Sequence, residues 1–389
     1  MKEVLPSFAF HIPRTIFGMN TSEQVGVVAK ELGATKALII TDQGVHRAGL
    51  IKSASDSLQK AGIDFEVFYQ MGESAPGSAV LECAKLILEK HYDVVVGIGG
   101  GSVLDGAKLA AFAADHGGTI EALFNPPPIS KKIISTILVP TTAGTGSEMG
   151  IGALWTDEKT HGKMVVFSDL LCADAAVIDP ILTMNLPPVI TADTGIDVLS
   201  HAIEGYTSPK ANPVADIVAE KAIRLVAQNL RSAYTQGAKD PEARYNMMLA
   251  ANLGMTAGYV SGCYIVHTLS YPVGAMTHQN HGKICGLLLP YVMDFNLISN
   301  LERFARIAEF MDEPISGMNT RGKAIRSIQA VKSLVTDLGL PQTLGEIGLT
   351  KKDIPAIIDY VYKYYPEQLD WNPRRVDRND LQRILESAL

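Results

Sequence analysis

The sequence predicts an α/β nucleotide-binding domain built on a parallel sheet, followed by an all-helical domain. Three observations carry that expectation. Up to about residue 185, short β-branched runs alternate with amphipathic stretches, the pattern of a parallel sheet with helices on both faces. The run Gly99-Gly100-Gly101-Ser102 lies where a strand ends and a helix begins. Beyond Pro187-Pro188 the periodicity is helical, and no strand stands out.

In chain order, Lys36 to Thr41 (KALIIT) reads as a buried strand and Val45 to Ala61 as a helix. Phe65 to Tyr69 is a second strand, followed by a helix from Ala79 to Lys90. Asp93 to Ile98 (DVVVGI) is a third strand, leading through the glycines into a helix that reaches about Ala114. Ile133 to Val139 is a fourth strand. Pro213 to Tyr234 and Pro241 to Tyr259 are long helices, and the chain closes on a short one from Asp380 to Ala388.

Bulk properties narrow the function. A chain of 389 residues is long enough for two domains. With 47% hydrophobic and 19% charged residues it has an ordinary globular composition. A net charge of −7 argues against nucleic acid or anionic membrane as the main partner. No apolar run of membrane-spanning length occurs, and Met1 to Pro6 has no signal-type apolar core. The four cysteines, Cys83, Cys172, Cys263 and Cys285, form no C-x-x-C pair. Together these features point to a reducing compartment, the cytoplasm.

Two sites suggest themselves. Glycines let a backbone approach a ligand closely, and a helix N-terminus offers unpaired N–H groups and partial positive charge. A pyrophosphate fits Gly99 to Ser102 on that account. The spacing departs from the G-x-G-x-x-G fingerprint, whose acidic partner comes later in the chain. Here Asp42, at the end of the KALIIT strand, precedes the glycines; its carboxylate can hold ribose hydroxyls and repel a 2′-phosphate, or simply cap a turn. The hydroxyl-rich loop Pro140 to Glu148 follows the fourth strand, where open parallel sheets bind ligands.

The second site begins with Asp197 and His201, four apart and therefore on one helix face within an apolar run. Alone, the pair is equally a hydrogen bond along a helix. His267 and His281, each after a long helical stretch and among apolar or small neighbours, need partners that a shared ion would supply. One carboxylate and three imidazoles suit Fe²⁺ or Zn²⁺, whereas Ca²⁺ and Mg²⁺ prefer oxygen shells.

The segments GGGSVLDGAK, PTTAGTGSE and TGIDVLSHAIEGY, with the two spaced histidines, resemble the iron-containing (group III) alcohol dehydrogenases over nearly the whole chain. The resemblance implies a dehydroquinate-synthase-like fold, with residues 1–185 an NAD-binding α/β domain, residues 186–389 an all-helical metal-binding domain, and the site in the cleft between them. It implies Asp197, His201, His267 and His281 as ligands of a catalytic divalent ion, Fe²⁺ first and Zn²⁺ second. It places Gly99, Gly100, Gly101, Ser102 and Asp105 in the pyrophosphate motif, and Asp42 where a carboxylate favours NAD. Thr141, Thr142 and Thr145 match nucleotide-contacting threonines, Lys163 a lysine that reaches the cofactor ribose, and Ile181 to Asn185, with Thr183 at its centre, the adenine side.

Three positions depart from the family pattern. Ala75 precedes Pro76 where asparagine is common; Tyr271 stands at a position often held by a proton-relaying histidine; Gly258 replaces a bulky aromatic and would open the substrate side. His278 reads as a polar neighbour of the ligands and Cys263 as a small core residue. The implied reaction is hydride transfer between NAD and a small to medium alcohol or aldehyde, in a homodimer or larger homo-oligomer. The alternative is a hydroxyacid–oxoacid transhydrogenase or another hydroxyacid dehydrogenase of the same family.

Overall fold

The computed structural model describes residues 8–119, 132–159 and 162–389. The chain folds as two compact units, one formed by His11–Thr142 and Gly146–Leu186, the other by Pro187–Leu389 with Ala143–Thr145.

The first unit is built on six parallel strands in the order β1-β8-β5-β4-β2-β3. They are β1 (Arg14–Phe17), β2 (Lys36–Ile40), β3 (Asp64–Phe68), β4 (Val94–Gly99), β5 (Ser135–Pro140) and β8 (Ala175–Ile178). The inner strands read as continuous apolar runs because both faces are covered. Leu38, Ile40, Val95 and Leu138 pack on one face with α4 (Gly77–Lys90) and α5 (Gly101–Asp115). Ala37, Ile39, Val94, Val96, Ile137 and Val139 pack on the other with α1 (Val25–Glu31) and α3 (Lys52–Lys60). Each such buried Val, Leu or Ile contributes about 1.5–3 kcal/mol of apolar burial.

The strand order also locates a binding crevice. From β2 the chain crosses outward to β3, while from β4 it crosses the opposite way to β5. Ligands of open α/β sheets bind outside the carboxyl ends of strands where the order reverses, here β2 and β4. Both strands end in segments singled out by sequence, Thr41-Asp42 and Gly99 to Ser102.

The structure corrects several details. The helix expected from Val45 to Ala61 is two helices, α2 (Gln43–Arg47) and α3, because Gly49 turns the chain in the left-handed region at φ +70°. Strands β1 and β8 are each four residues long, too short to show a period. An antiparallel pair, β6 (Gly152–Asp157) with β7 (Gly162–Phe167), joins the otherwise parallel unit. The reading of Met1 to Pro6 lies outside the described residues.

Among its described residues the second unit is built of helices joined by turns and has no strand. Its centre is α6 (Pro188–Thr207), buried almost without interruption from Thr191 onward. Around it run α7 (Pro213–Gln236), α8 (Pro241–Ser261), α9 (Ile265–Thr277) and α10 (His281–Asn296). Proline opens α6, α7 and α8 at their first turns, where its missing N–H costs nothing. Asn212 caps α7 by accepting from the Val214 and Ala215 backbone N–H groups. A helix buried all round needs small residues wherever a neighbour crosses it closely. A methyl group at Gly282 would lie 2.0 Å from the Asp193 carbonyl oxygen, so only glycine lets α10 meet α6 at this distance.

Candidate functional site

The first unit carries a cavity of about 510 Å³ over the ends of β2 and β4. Asp42, Gly44, Met71, Glu73, Gly100 and Ser102 are among its lining residues. Gly100 is the extended residue before α5, so the first N–H groups of that helix belong to the cavity wall. A methyl at Gly100 would stand 3.4 Å from Thr142 Cγ2, which keeps the glycine and threonine loops in close contact. The Thr141 backbone N–H donates to the Gly99 carbonyl at 2.9 Å, joining the same two loops. Beside them Ser74 and Ala75 are both left-handed, at φ +57° and +46°, and the Ser74 N–H donates to Ser102 Oγ at 3.0 Å. Non-glycine residues hold this conformation only where surrounding structure over-determines it.

Of the two roles that sequence left open, the structure shows Asp42 in the cap. Its Oδ1 accepts from the Val45 N–H at 2.9 Å as the N-cap of α2, and the residue lines the cavity. Asp105 is committed elsewhere. It accepts from Ser147 Oγ and, at 3.0 Å, from the Leu154 N–H, and it lies 3.5 Å from the fully buried Lys108 ammonium. Lys108 also donates to the Ser147 carbonyl at 2.9 Å and the Gly152 carbonyl at 2.5 Å, so the pair ties α5 to β6 and its approach. Lys163 lies on β7 opposite Thr156. The Thr183 hydroxyl is buried and donates to the Pro180 carbonyl at 2.8 Å. Thr145 groups with the helical unit, whose Thr194 presses on the neighbouring Gly144.

The second cluster lies wholly within the helical unit. Asp197 and His201 come from α6, His267 from α9, and His281 is the first residue of α10. Asp197 Oδ1 is 3.7 Å from His267 Nε2 and 3.7 Å from His281 Nε2; its Oδ2 is 3.9 Å from His201 Nδ1. The His201 and His267 rings are 4.4 Å apart. The expected four therefore converge, in two overlapping groups that share His267. Asp197, His267, His281 and Cys285 offer ligand atoms within 4.8 Å of one another, as do His201, Cys263 and His267.

This donor set fits a divalent ion. Asp197 Oδ1, His201 Nδ1 and His267 Nε2 are buried without a hydrogen-bond partner. Each such atom costs about 1–3 kcal/mol if left unsatisfied, and three together call for a shared cation. Bonds of about 2.0–2.2 Å place atoms of a tetrahedral shell roughly 3.3–3.6 Å apart, close to the spacings seen. Burial raises the Asp197 carboxyl to about 6 and, with the neighbouring imidazoles of His267 and His281, pushes His201 well below the usual histidine range. His201 is thus held as the neutral imidazole that ligates, whereas at His267 the opposing cost of burial is overcome by Cys263, Cys285 and Glu204 beside it, which push that ring well above the usual histidine range, so that an ion bound there would displace a proton.

Three partners of this cluster had no assigned role in the sequence reading. Glu204, within the same motif, accepts from the Tyr264 and Val266 N–H groups at 3.1 and 2.9 Å and is hydrogen-bonded to His267 Nδ1. Ser270 Oγ lies 3.0 Å from His281 Nδ1. Cys285 Sγ lies 3.5 Å from His281 Nε2. The i, i+4 step from His281 to Cys285 and the i, i+7 step from Asp197 to Glu204 are sequence signals that would have placed both side chains on the ligand faces.

Tyr271 stacks on the His281 ring at 5.8 Å and 12°, and touches Tyr365 at 4.9 Å. Burial pushes its phenol above the ordinary tyrosine range. His278 ends α9 in a left-handed turn, outside both ligand groups. Gly258 does not open space as expected. A methyl there would stand 2.8 Å from Cys263 Sγ and 3.6 Å from the His201 ring, so sulfur already occupies the room.

Comparison with known proteins follows the same division of the chain. The family description "Iron-containing alcohol dehydrogenase" matches residues 13–180, and "Fe-containing alcohol dehydrogenase family, C-terminal" matches residues 191–389. The chain belongs to the iron-containing alcohol dehydrogenase family. It is 34% identical to the NAD-dependent methanol dehydrogenase of Bacillus methanolicus, over 97% of this chain and 98% of that one. It is 36% identical to the 1,3-propanediol dehydrogenase of Citrobacter freundii, over 98% of each. The crystal structure of a 1,3-propanediol oxidoreductase superposes with a TM-score of 0.94 at 32% identity, covering 99% of this chain and all (100%) of that one. The chain is accordingly an oxidoreductase acting on CH–OH groups, of the NAD-linked alcohol dehydrogenase and aldehyde reductase type.

Proposed function

We propose that this protein interconverts small to medium alcohols and their aldehydes with NAD, using a divalent ion held by Asp197, His201, His267 and His281, iron in first place. One observation carries the reading: three buried donor atoms without hydrogen-bond partners, on Asp197, His201 and His267, belong to one side-chain cluster. When bound, the ion supplies Lewis acidity at the alcohol oxygen and the nicotinamide accepts the hydride. The chain's own residues bind and orient. The N–H groups opening α5 receive the pyrophosphate, Asp42 takes the ribose hydroxyls while capping α2, and Thr141, Thr142, Thr145 and Lys163 complete the nucleotide contacts. Tyr271 walls the reaction centre from its place against His281.

The four cysteines form no disulfide, which supports a reducing cytoplasmic setting, and no described helix is long and apolar enough to cross a membrane. We place the working form as a homodimer or larger homo-oligomer.

Elemental analysis of the purified protein, followed by NADH release over a panel of alcohols, diols and hydroxyacids, tests the proposal. Metal-dependent release of free NADH with short alcohols is expected. Full activity in a metal-free preparation would refute the ion's role. Exchange between hydroxyacid and oxoacid without net NADH release would refute the dehydrogenase reading in favour of the transhydrogenase.

A further inference from the structure

We propose that Glu204 is a positioning residue of the metal centre: it holds His267 in the tautomer that presents Nε2, while Ser270 does the same for His281. The inference rests on the reading that these histidines hold a divalent ion.

A neutral imidazole has one N–H and one lone pair, and whatever fixes the proton on one nitrogen frees the other to ligate. Glu204 is completely buried. Its Oε1 accepts from the Val266 N–H, and its Oε2 accepts from the Tyr264 N–H and faces His267 Nδ1. A carboxylate gripped by two backbone donors can only accept from a third neighbour, so Nδ1 carries the proton. In the neutral, ligating ring the lone pair then sits on Nε2, 3.7 Å from Asp197 Oδ1 and with no hydrogen-bond partner of its own.

His281 is set by a similar argument. Ser270 Oγ donates its single proton to the His267 carbonyl at 2.7 Å. At 3.0 Å from His281 Nδ1 the same oxygen can therefore only accept, which again leaves the lone pair on Nε2. The two locks are connected through the His267 carbonyl, so the second ligand is oriented from the backbone of the first. Glu204 thereby acts on the ion through His267 and Ser270 through His281, in the manner of outer-shell partners that orient ligand histidines.

Glu204→Gln discriminates this role from simple tethering of the α9 start. The amide keeps the shape but brings an N–H₂ group, which must face either a backbone donor or Nδ1. Facing Nδ1 it donates, and the proton of His267 moves to Nε2, the ligating atom. Zinc affinity of the full chain, measured by chelator competition, should fall about 10–100-fold, the usual cost of losing an outer-shell partner. Ser270→Ala should also weaken zinc binding, by less, and provides a second test if Glu204→Gln folds poorly. In zinc-loaded wild type carrying ¹⁵N-labelled histidine, the His267 ring should show a proton on Nδ1, and that signal should be lost in Glu204→Gln. A proton on Nε2 in the wild type, or zinc affinity within twofold of wild type in both variants, overturns the proposal. Failure of the wild type to take up zinc or iron at all would instead refute the metal reading. The spectrum of the metal-free chain, taken where its imidazoles are neutral, would still decide between the two tautomers.

Discussion

Gly282→Ala isolates the contact on which the proposed metal site depends. The added methyl would lie 2.0 Å from the Asp193 carbonyl oxygen and 2.9 Å from Asp197 Cβ, both on α6. Ordinary contact needs about 3.5 Å, so the start of α10 must retreat by more than about 1 Å. Backbone obstructs on the α6 side, and no rotamer change relieves it. His281 is the adjacent residue and moves with the helix, opening its 3.7 Å approach to Asp197. Ligand positions tolerate only about 0.2 Å before coordination suffers. Overpacking of this kind costs about 1–3 kcal/mol. In a unit of this size that is roughly 2–12 °C in melting temperature. The expected result is a modest fall in the melting point of the metal-free protein with at least tenfold weaker metal binding, read by calorimetry and chelator competition. Gly286→Ala is the control. It sits one turn further along the same seam, where the methyl would meet the Ile196 side chain at 2.8 Å. It should lower stability with less effect on the metal. Wild-type metal affinity in Gly282→Ala would refute the argument that this approach sets the ligand geometry.

Four further outcomes are expected. Asp42→Gly should raise the efficiency with NADP relative to NAD by on the order of 1–3 kcal/mol, with only a few tenths lost from the α2 cap; a wild type that already prefers NADP would contradict the assignment. Tyr271→Phe should retain metal and nearly all turnover, since burial pushes the phenol up and away from useful proton transfer; a changed pH profile of kcat with metal still bound would show that the hydroxyl carries the proton. Metal affinity should depend on Asp197, whose carboxyl burial raises from 3.8 to about 6 in the metal-free fold. Since the ion needs both the carboxylate and a neutral His267, whose pKa is raised, apparent affinity should fall by at least about tenfold per pH unit below about 6 and go on rising above it until His267 has lost its proton, and a flat profile between pH 4 and pH 6, on the order of 2 units, would exclude this linkage. Lys108→Met should destabilise the fold by about 3–5 kcal/mol in thermal or denaturant melts, because Asp105 is left buried without its cation; a loss under about 1 kcal/mol would show that Asp105 is satisfied by its other partners.

The architecture was legible because periodicity reports burial. Strands β2, β4 and β5 are covered on both faces, so their apolar runs stand out in the sequence, and the switch to a helical period marks where the second unit begins. The side-chain cluster proposed to hold the ion was legible because its members are residue types that are costly to bury, Asp197 and His201 on one helical face, His267 and His281 in apolar company. Short or locally ordinary features were not. Strand β1 has four residues and is defined by its pairing with β8, some 160 residues away in sequence. Gly49 looked like any glycine within a helical period until its left-handed turn divided that helix in two.

Other decisions belonged to tertiary structure alone. Sequence left Asp42 as either cap or ribose ligand, and the fold gives it the cap while keeping it on the cavity wall. Gly258 read as open space, yet Cys263 fills it, because the volume at a position depends on a side chain brought in from the next turn of chain. Glu204 lay in plain view within the α6 motif, but its partner His267 comes from another helix, and no spacing rule reaches 63 residues ahead. Residue types and local periods determined which chemistry this chain can perform and which elements carry it. The closeness of α10 to α6, and the hydrogen-bond partners of His267 and His281, exist only once the helices are packed, because both are set by atoms distant in sequence and in contact in space.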